Sequence, residues 1–189
     1  MSSYSYIGSY SLLSMASKDT FFLRTTIDTS GTDYVSDDID ISAFVDPARG
    51  RVMVVDRAWV TYMTNGNGPI LAADVGVDAM RTVGIQTTSE TKTGLVDAND
   101  NSLLLQGSLY VTTDNVSGVN NIIMYEEVTS MNPFETVSGW IVPTDKIHCA
   151  LDVSTAWAGE LSVGFVFEVH TEKLSLQRIQ ELLVSLTAN

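Results

Sequence analysis

Apolar residues recur at every second position along most of this chain, the repeat of strands with one buried face. The clearest case is Glu160 to His170, where Leu161, Val163, Phe165, Phe167 and Val169 share one side and Ser162, Gly164, Glu168 and His170 the other. The same reading gives strands at Thr20 to Asp28, Ile39 to Val45, Arg51 to Thr64, Met80 to Thr87, Ser102 to Thr112, Asn121 to Val128, Val137 to Val142 and Ile147 to Val153. Between them lie Gly, Asn, Asp and Pro clusters, of which Asn65-Gly66 is the strongest turn signal. In Arg51 to Thr64, Val52, Val54, Ala58, Val60 and Tyr62 fall on one side with Asp56, whose charge breaks the pattern and predicts either a bulge or a strand switching sheets near Asp56 and Arg57. Ile70 to Val77 fits no single pattern. About eight strands with no helical periodicity between them predict an all-β fold, an antiparallel β-sandwich of jelly-roll type.

After Val169 the period changes. Leu176, Ile179, Leu182, Leu183 and Leu186 recur at three and four residues, the stripe of an amphipathic helix. A helix this short is marginal alone, so its stripe needs cover from the sandwich, another copy or a membrane surface. The membrane is the weakest of these, because Arg178 is the one basic residue within the helix. At the other end, residues 1–18 are rich in Ser and Tyr and short of aliphatic side chains, which predicts an arm with no core of its own. The organisation is therefore an arm at 1–18, a β-sandwich at 19–171 and a C-terminal helix at 172–189. Candidate interface residues are Tyr4, Tyr6 and Tyr10 on the arm and Leu176, Ile179, Leu183 and Leu186 on the helix.

Charge narrows the partners. With 15 Asp and 8 Glu against 6 Arg and 4 Lys, the net charge is −13, which disfavours direct binding to a nucleic-acid backbone. High Asp with scarce Lys also suits a protein working in concentrated salt. No apolar run approaches the ~20 residues of a membrane span, and the first residues lack a secretory signal pattern. Cys149 alternates with Ile147, Leu151 and Val153, predicting a buried structural thiol.

Chemistry-bearing motifs are few. The sequence has no Gly-x-Ser-x-Gly, His-Glu-x-x-His, Cys-x-x-Cys or phosphate-loop pattern, and no enzyme, cofactor or metal is expected. His148 and His170 could share a metal with Asp152 or Glu168 across a sheet, but solvated surface histidines are the expectation. Asp97 to Asn101 opens like a calcium loop, yet Ser102 replaces the turn glycine and Ser108 the bidentate Glu. The acidic run from Asp33 to Asp40 has no defined ligand geometry. Glu126 and Glu127 are adjacent on a strand and so point to opposite faces, which rules out a shared substrate. Trp59, Trp140 and Trp157 would make a sugar-stacking platform only if exposed together. Asn115-Val-Ser117 matches a glycosylation acceptor.

The arm, the single sandwich, the Thr/Ser/Asn-rich loops and the C-terminal extension together resemble the single-jelly-roll capsid proteins of tailless icosahedral prokaryotic viruses with an internal membrane. The resemblance is architectural and carries no functional residues. It implies a structural virion protein, made in the host cytoplasm, that self-associates into capsomers. It also implies a second capsid protein as a candidate partner, and an internal membrane rather than nucleic acid nearby. The alternative from another class is a carbohydrate-binding β-sandwich module, an adhesin of a cell surface or virus fibre.

Overall fold

The structure is a computed structural model that describes residues 19–66, 68–116, 119–130 and 139–186. The arm with Tyr4, Tyr6 and Tyr10, and the expected loop at Met131 to Glu135, lie outside the described residues. Nine strands form: β1 (Phe21–Thr29), β2 (Val35–Asp40), β3 (Arg51–Thr64), β4 (Met80–Thr88), β5 (Leu103–Val116), β6 (Val119–Ser130), β7 (Trp140–Val142), β8 (Lys146–Val153) and β9 (Leu161–Lys173). Two helices, α1 (Ala72–Val75) and α2 (Leu176–Leu186), and a 3-10 turn at Pro47–Arg49 complete the described set.

The strands pair antiparallel in two sheets, ordered β1-β9-β3-β7 and β2-β8-β4-β5-β6. Setting β6 aside, the first strand pairs with the last, the second with the next to last, and so inward to β4 with β5. That is a long hairpin folded over on itself, the topology of a jelly roll. The core lies between the sheets, where Met53, Ile85, Leu109, Leu151, Phe165 and Phe167 are almost wholly buried. Cys149 is buried there too, and burial pushes its thiol far above the usual range.

The predicted bulge is present: the β3 to β9 register shifts between Val55 and Arg57. It corrects the single-face reading of β3, because one extra residue reverses which side each later residue takes. Ala58, Val60 and Tyr62 lie beside Phe167, Phe165 and Val163 on the core face, whereas Val52 and Val54 lie beside Glu172 and His170 on the outer face. Val52 and Val54 are nonetheless buried, so something covers that outer corner. The segment at Gly139 supplies part of that cover, since a Cβ there would lie 2.5 Å from Val54 Cγ1, and α2 follows β9 directly. Its Leu182 and Leu186 line a cavity of about 190 Å³ with Trp140, Ile141 and Pro143, and Asn101 Nδ2 donates to Ser185 O at 2.8 Å.

The second sheet is covered differently. The loop after β4 folds back over it, with Gln86 accepting from Val96 N at 2.8 Å and donating to Gly94 O at 2.9 Å. Gln106, directly opposite Gln86, donates to Val96 O at 3.3 Å. A Cβ on Gly84 would come within 2.7 Å of Leu95 Cδ1, so the Leu95 side chain rests on the open surface this glycine leaves.

Two other expectations change. The strand expected at Ile39 to Val45 starts at Val35 and ends at Asp40, where the Asp40 carboxylate accepts from Ser42 N at 2.8 Å and turns the chain. Ile41 and Val45, which looked like strand alternation, are the two buried ends of that turn. The unassigned Ile70 to Val77 contains the one-turn helix α1. Its Asp74 is buried and accepts from Leu71 N, Thr64 Oγ1 and Asn65 Nδ2 at 2.6–2.8 Å.

Candidate functional site

The five-stranded sheet ends in β6, which pairs with β5. Every residue from Asn121 to Glu127 is exposed, so this stretch carries no packed cover on either face. Its composition is not that of a solvated strand. Ile123 and Tyr125 are 62% and 59% exposed, and Ile122 and Met124 also face solvent. Tyr125 lies opposite Tyr110 of β5, with ring centroids 6.1 Å apart. An apolar strand at a sheet margin is a template for contact with another chain unless charge or cover blunts it. Glu126 and Glu127 are the charges present on this stretch, one on each face, as the sequence reading requires.

The outer face of the four-stranded sheet carries a second exposed patch at the end away from α2. Phe22 of β1 and Trp59 of β3 are exposed with ring centroids 6.2 Å apart, and the Arg24 guanidinium lies 5.3 Å above the Phe22 ring. The three tryptophans do not form a platform. Trp157 is buried, Trp140 is half-buried against the core, and Trp59 is exposed.

The helix stripe is divided. Ile179 and Leu186 are buried by the chain itself, whereas Leu176 is exposed by 54% and Leu183 also faces solvent. Of the four helix positions expected at an interface, Leu176 and Leu183 are therefore the ones left on the surface.

The histidines correct the sequence reading. His148 and His170 are buried rather than solvated, and they lie in different sheets. His148 Nδ1 lies 2.5 Å from Asp38 Oδ1 and its Nε2 lies 3.3 Å from Tyr34 Oη. Lys146 Nζ reaches the other Asp38 oxygen at 2.8 Å. Burial alone would raise the Asp38 pKa, but the hydrogen bonds from Lys146 and His148 outweigh it and hold the carboxyl below its ordinary value. His170 Nδ1 lies 2.6 Å from Asp56 Oδ2, so the charge that broke the β3 pattern has its partner through the bulge. Both nitrogens of His148 are engaged and the ring is 1% exposed, leaving no face for a substrate. Consecutive apolar residues flanking each site, Val52 to Val55 and Ile147 to Leu151, were the available signal that both faces are covered.

Asp100, in the calcium-like loop, accepts from Ser102 N and Ser102 Oγ at 2.8 and 2.6 Å and pairs with Lys92 at 2.9 Å. Its oxygens are thus taken by protein donors. Among the described residues, no group of three His, Cys, Asp or Glu is arranged to hold a metal, and no helix is long and apolar enough to cross a membrane.

These features define a single jelly roll whose distinctive surfaces are apolar strips rather than a polar cleft. No family model and no curated protein matches the chain. Among solved structures it is similar to a chain of turnip yellow mosaic virus, at 12% identity and a TM-score of 0.31, over 93% of this chain and 92% of that chain. The jelly-roll assignment rests on the strand pairing described above, not on that loose likeness.

Proposed function

We propose that the chain is a structural, non-enzymatic virion protein: a single-jelly-roll capsid subunit that self-associates into capsomers of an icosahedral shell. The observation that carries this reading is β6, a strand at the sheet margin with Ile122, Ile123, Met124 and Tyr125 on the surface. Burying one such side chain fully is worth about 1.5–3 kcal/mol. A contact covering several of them in each copy overcomes the repulsion between acidic subunits. The division of the α2 stripe supports the same reading, since Leu176 and Leu183 remain available to a neighbour. Within it, the prokaryotic viruses with an internal membrane remain the group proposed, with a second capsid protein as a candidate partner and no direct contact with the genome.

Static light scattering tests the proposal. The wild type is expected to form oligomers at high protein concentration and high salt, and Ile123→Asp with Tyr125→Asp is expected to leave a folded monomer. A wild type that stays monomeric throughout would overturn the self-association reading. An assembled double variant would show that β6 is not the contact.

A further inference from the structure

We propose that the concavity beside the 3-10 turn Pro47–Arg49 is a binding site for a phosphate-type oxyanion. It has a volume of about 270 Å³ and is lined by Arg49, Arg51, Lys173 and Asp46. Three of the chain's ten basic residues thus contribute to the wall of one small space in a protein of net charge −13. Arg51 and Lys173 are directly opposite in the β3 to β9 register. Like charges so placed repel and destabilise a ladder, and among the described residues neither has a carboxylate within ion-pair distance. Arg49 pairs with Asp46 at 3.6 Å, but its side chain is 88% exposed, and such a pair contributes little. Among the described residues, one carboxylate and three cations line the space, an excess of positive charge that favours an anion.

The backbone that aims these side chains is fixed. Arg51 exchanges both backbone hydrogen bonds with Asp46 at 2.8 and 2.9 Å, and Leu174 N donates to Gly50 O at 2.8 Å. Gly50 has φ of +88°, and a Cβ there would lie 2.5 Å from Leu174 O, so only glycine allows the turn to close against the end of β9. Asp46 Oδ1 also accepts from Arg49 N at 3.2 Å. Arg51 is therefore held between two paired segments, with Lys173 across from it and Arg49 on the turn before it. A guanidinium binds two oxygens of a phosphate in one plane, and the ammonium supplies a point charge to a third. The space is large enough for a tetrahedral oxyanion with part of its hydration. The phosphate can be the free ion or a phospholipid headgroup.

Isothermal titration of the full chain with inorganic phosphate, at constant ionic strength in chloride, is the test. A parallel arm uses vesicles of phosphatidylglycerol against vesicles of phosphatidylcholine. Saturable binding of one phosphate per chain, weakened at least tenfold by Arg51→Gln and by Lys173→Gln but not by Arg24→Gln, supports the site with the free ion as ligand. Retention on phosphatidylglycerol alone, lost in the same two variants, supports it with the headgroup as ligand. A second readout separates binding from a structural role. In chloride, Lys173→Gln is expected to melt at the wild-type temperature or about 1–3 °C above it, because a like-charge pair is removed. In phosphate, the wild type should gain stability and the variant should not. Absence of saturable binding in both arms, or binding unchanged in both variants, would overturn the proposal. Neither outcome depends on the shell reading, since a monomer would show the site equally well.

Discussion

Replacing Ile179 with alanine tests how α2 is seated. Ile179 is 2% exposed, and removing a buried isoleucine down to its Cβ costs about 2–5 kcal/mol through lost burial and a residual cavity. For a domain of this size each kcal/mol moves the midpoint by about 2–4 °C, so a fall of about 5–15 °C is expected in a calorimetric or circular-dichroism melt. Leu176, one turn earlier and 54% exposed, provides the internal comparison. Leu176→Glu should shift the midpoint by no more than about 2 °C, as surface substitutions do, while reducing oligomer size in light scattering. The same arithmetic explains why deleting residues 174–189 would not isolate assembly. It would remove both buried side chains of the helix, Ile179 and Leu186. The loss is comparable with the about 5–15 kcal/mol that holds a domain together. An Ile179→Ala melt within a degree of wild type would refute the seating of the helix on its own sandwich. An equal fall for Leu176→Glu would refute the division of the stripe.

Acid should act first on the clasp beneath the loop after β4. The folded Asp38 pKa is depressed, as is that of Asp100, where hydrogen bonds from Ser102 and Lys92 outweigh the opposing effect of burial. A depressed carboxyl contributes stability that is fully present above its unfolded value of about 3.9 and is lost as pH falls through the lower folded value. Chemical denaturation between pH 6 and 2 should show a decline below about pH 4 that is shallower in Asp38→Asn; an identical slope in the variant would contradict the assignment. Salt acts on the whole chain. At net charge −13, dialysis from about 1 M into about 0.01 M salt lengthens the screening distance from about 3 to about 30 Å. The midpoint and the oligomer size should both fall, and a chain unchanged in both would rule out adaptation to concentrated salt.

How far the sequence carried the fold depends on which contacts are local. Two-residue alternation located most strands, the Asp56 charge located the bulge, and the Leu and Ile spacing located α2, because each signal lies within one element. What failed was everything set by segments far apart. The alternation of Ile41, Ala43 and Val45 has the same appearance in a turn whose ends dip into the core. His148 and His170 were placed on solvated faces because a strand's own pattern does not reveal what later folds across it. His148 is closed in by Asp38 and Tyr34, and Tyr34 in turn accepts from Gln86, partners that no periodicity connects. The opposition of Arg51 and Lys173 arises from the register of strands more than a hundred residues apart, and so was invisible in the sequence.

The covers themselves bear on what the bare surfaces are for. α2 lies beside Trp140, Ile141 and Pro143 at one end of one sheet, and the loop after β4 folds over Gly84, Gln86 and Gln106 of the other. Beyond these covers each sheet continues uncovered, with Phe22 and Trp59 on one and Tyr110 and Tyr125 on the other. A sandwich that simply ended in water would carry polar side chains on those outward positions, as the alternation rule for a half-solvated sheet demands. Aromatic residues there, in a chain whose charge keeps copies apart at long range, fit contacts that act only at short range and strengthen as salt shortens the repulsion. Salt should therefore favour assembly through these faces, opposite in sign to an interface built mainly on ion pairs, and oligomer size followed across a sodium chloride series separates the two.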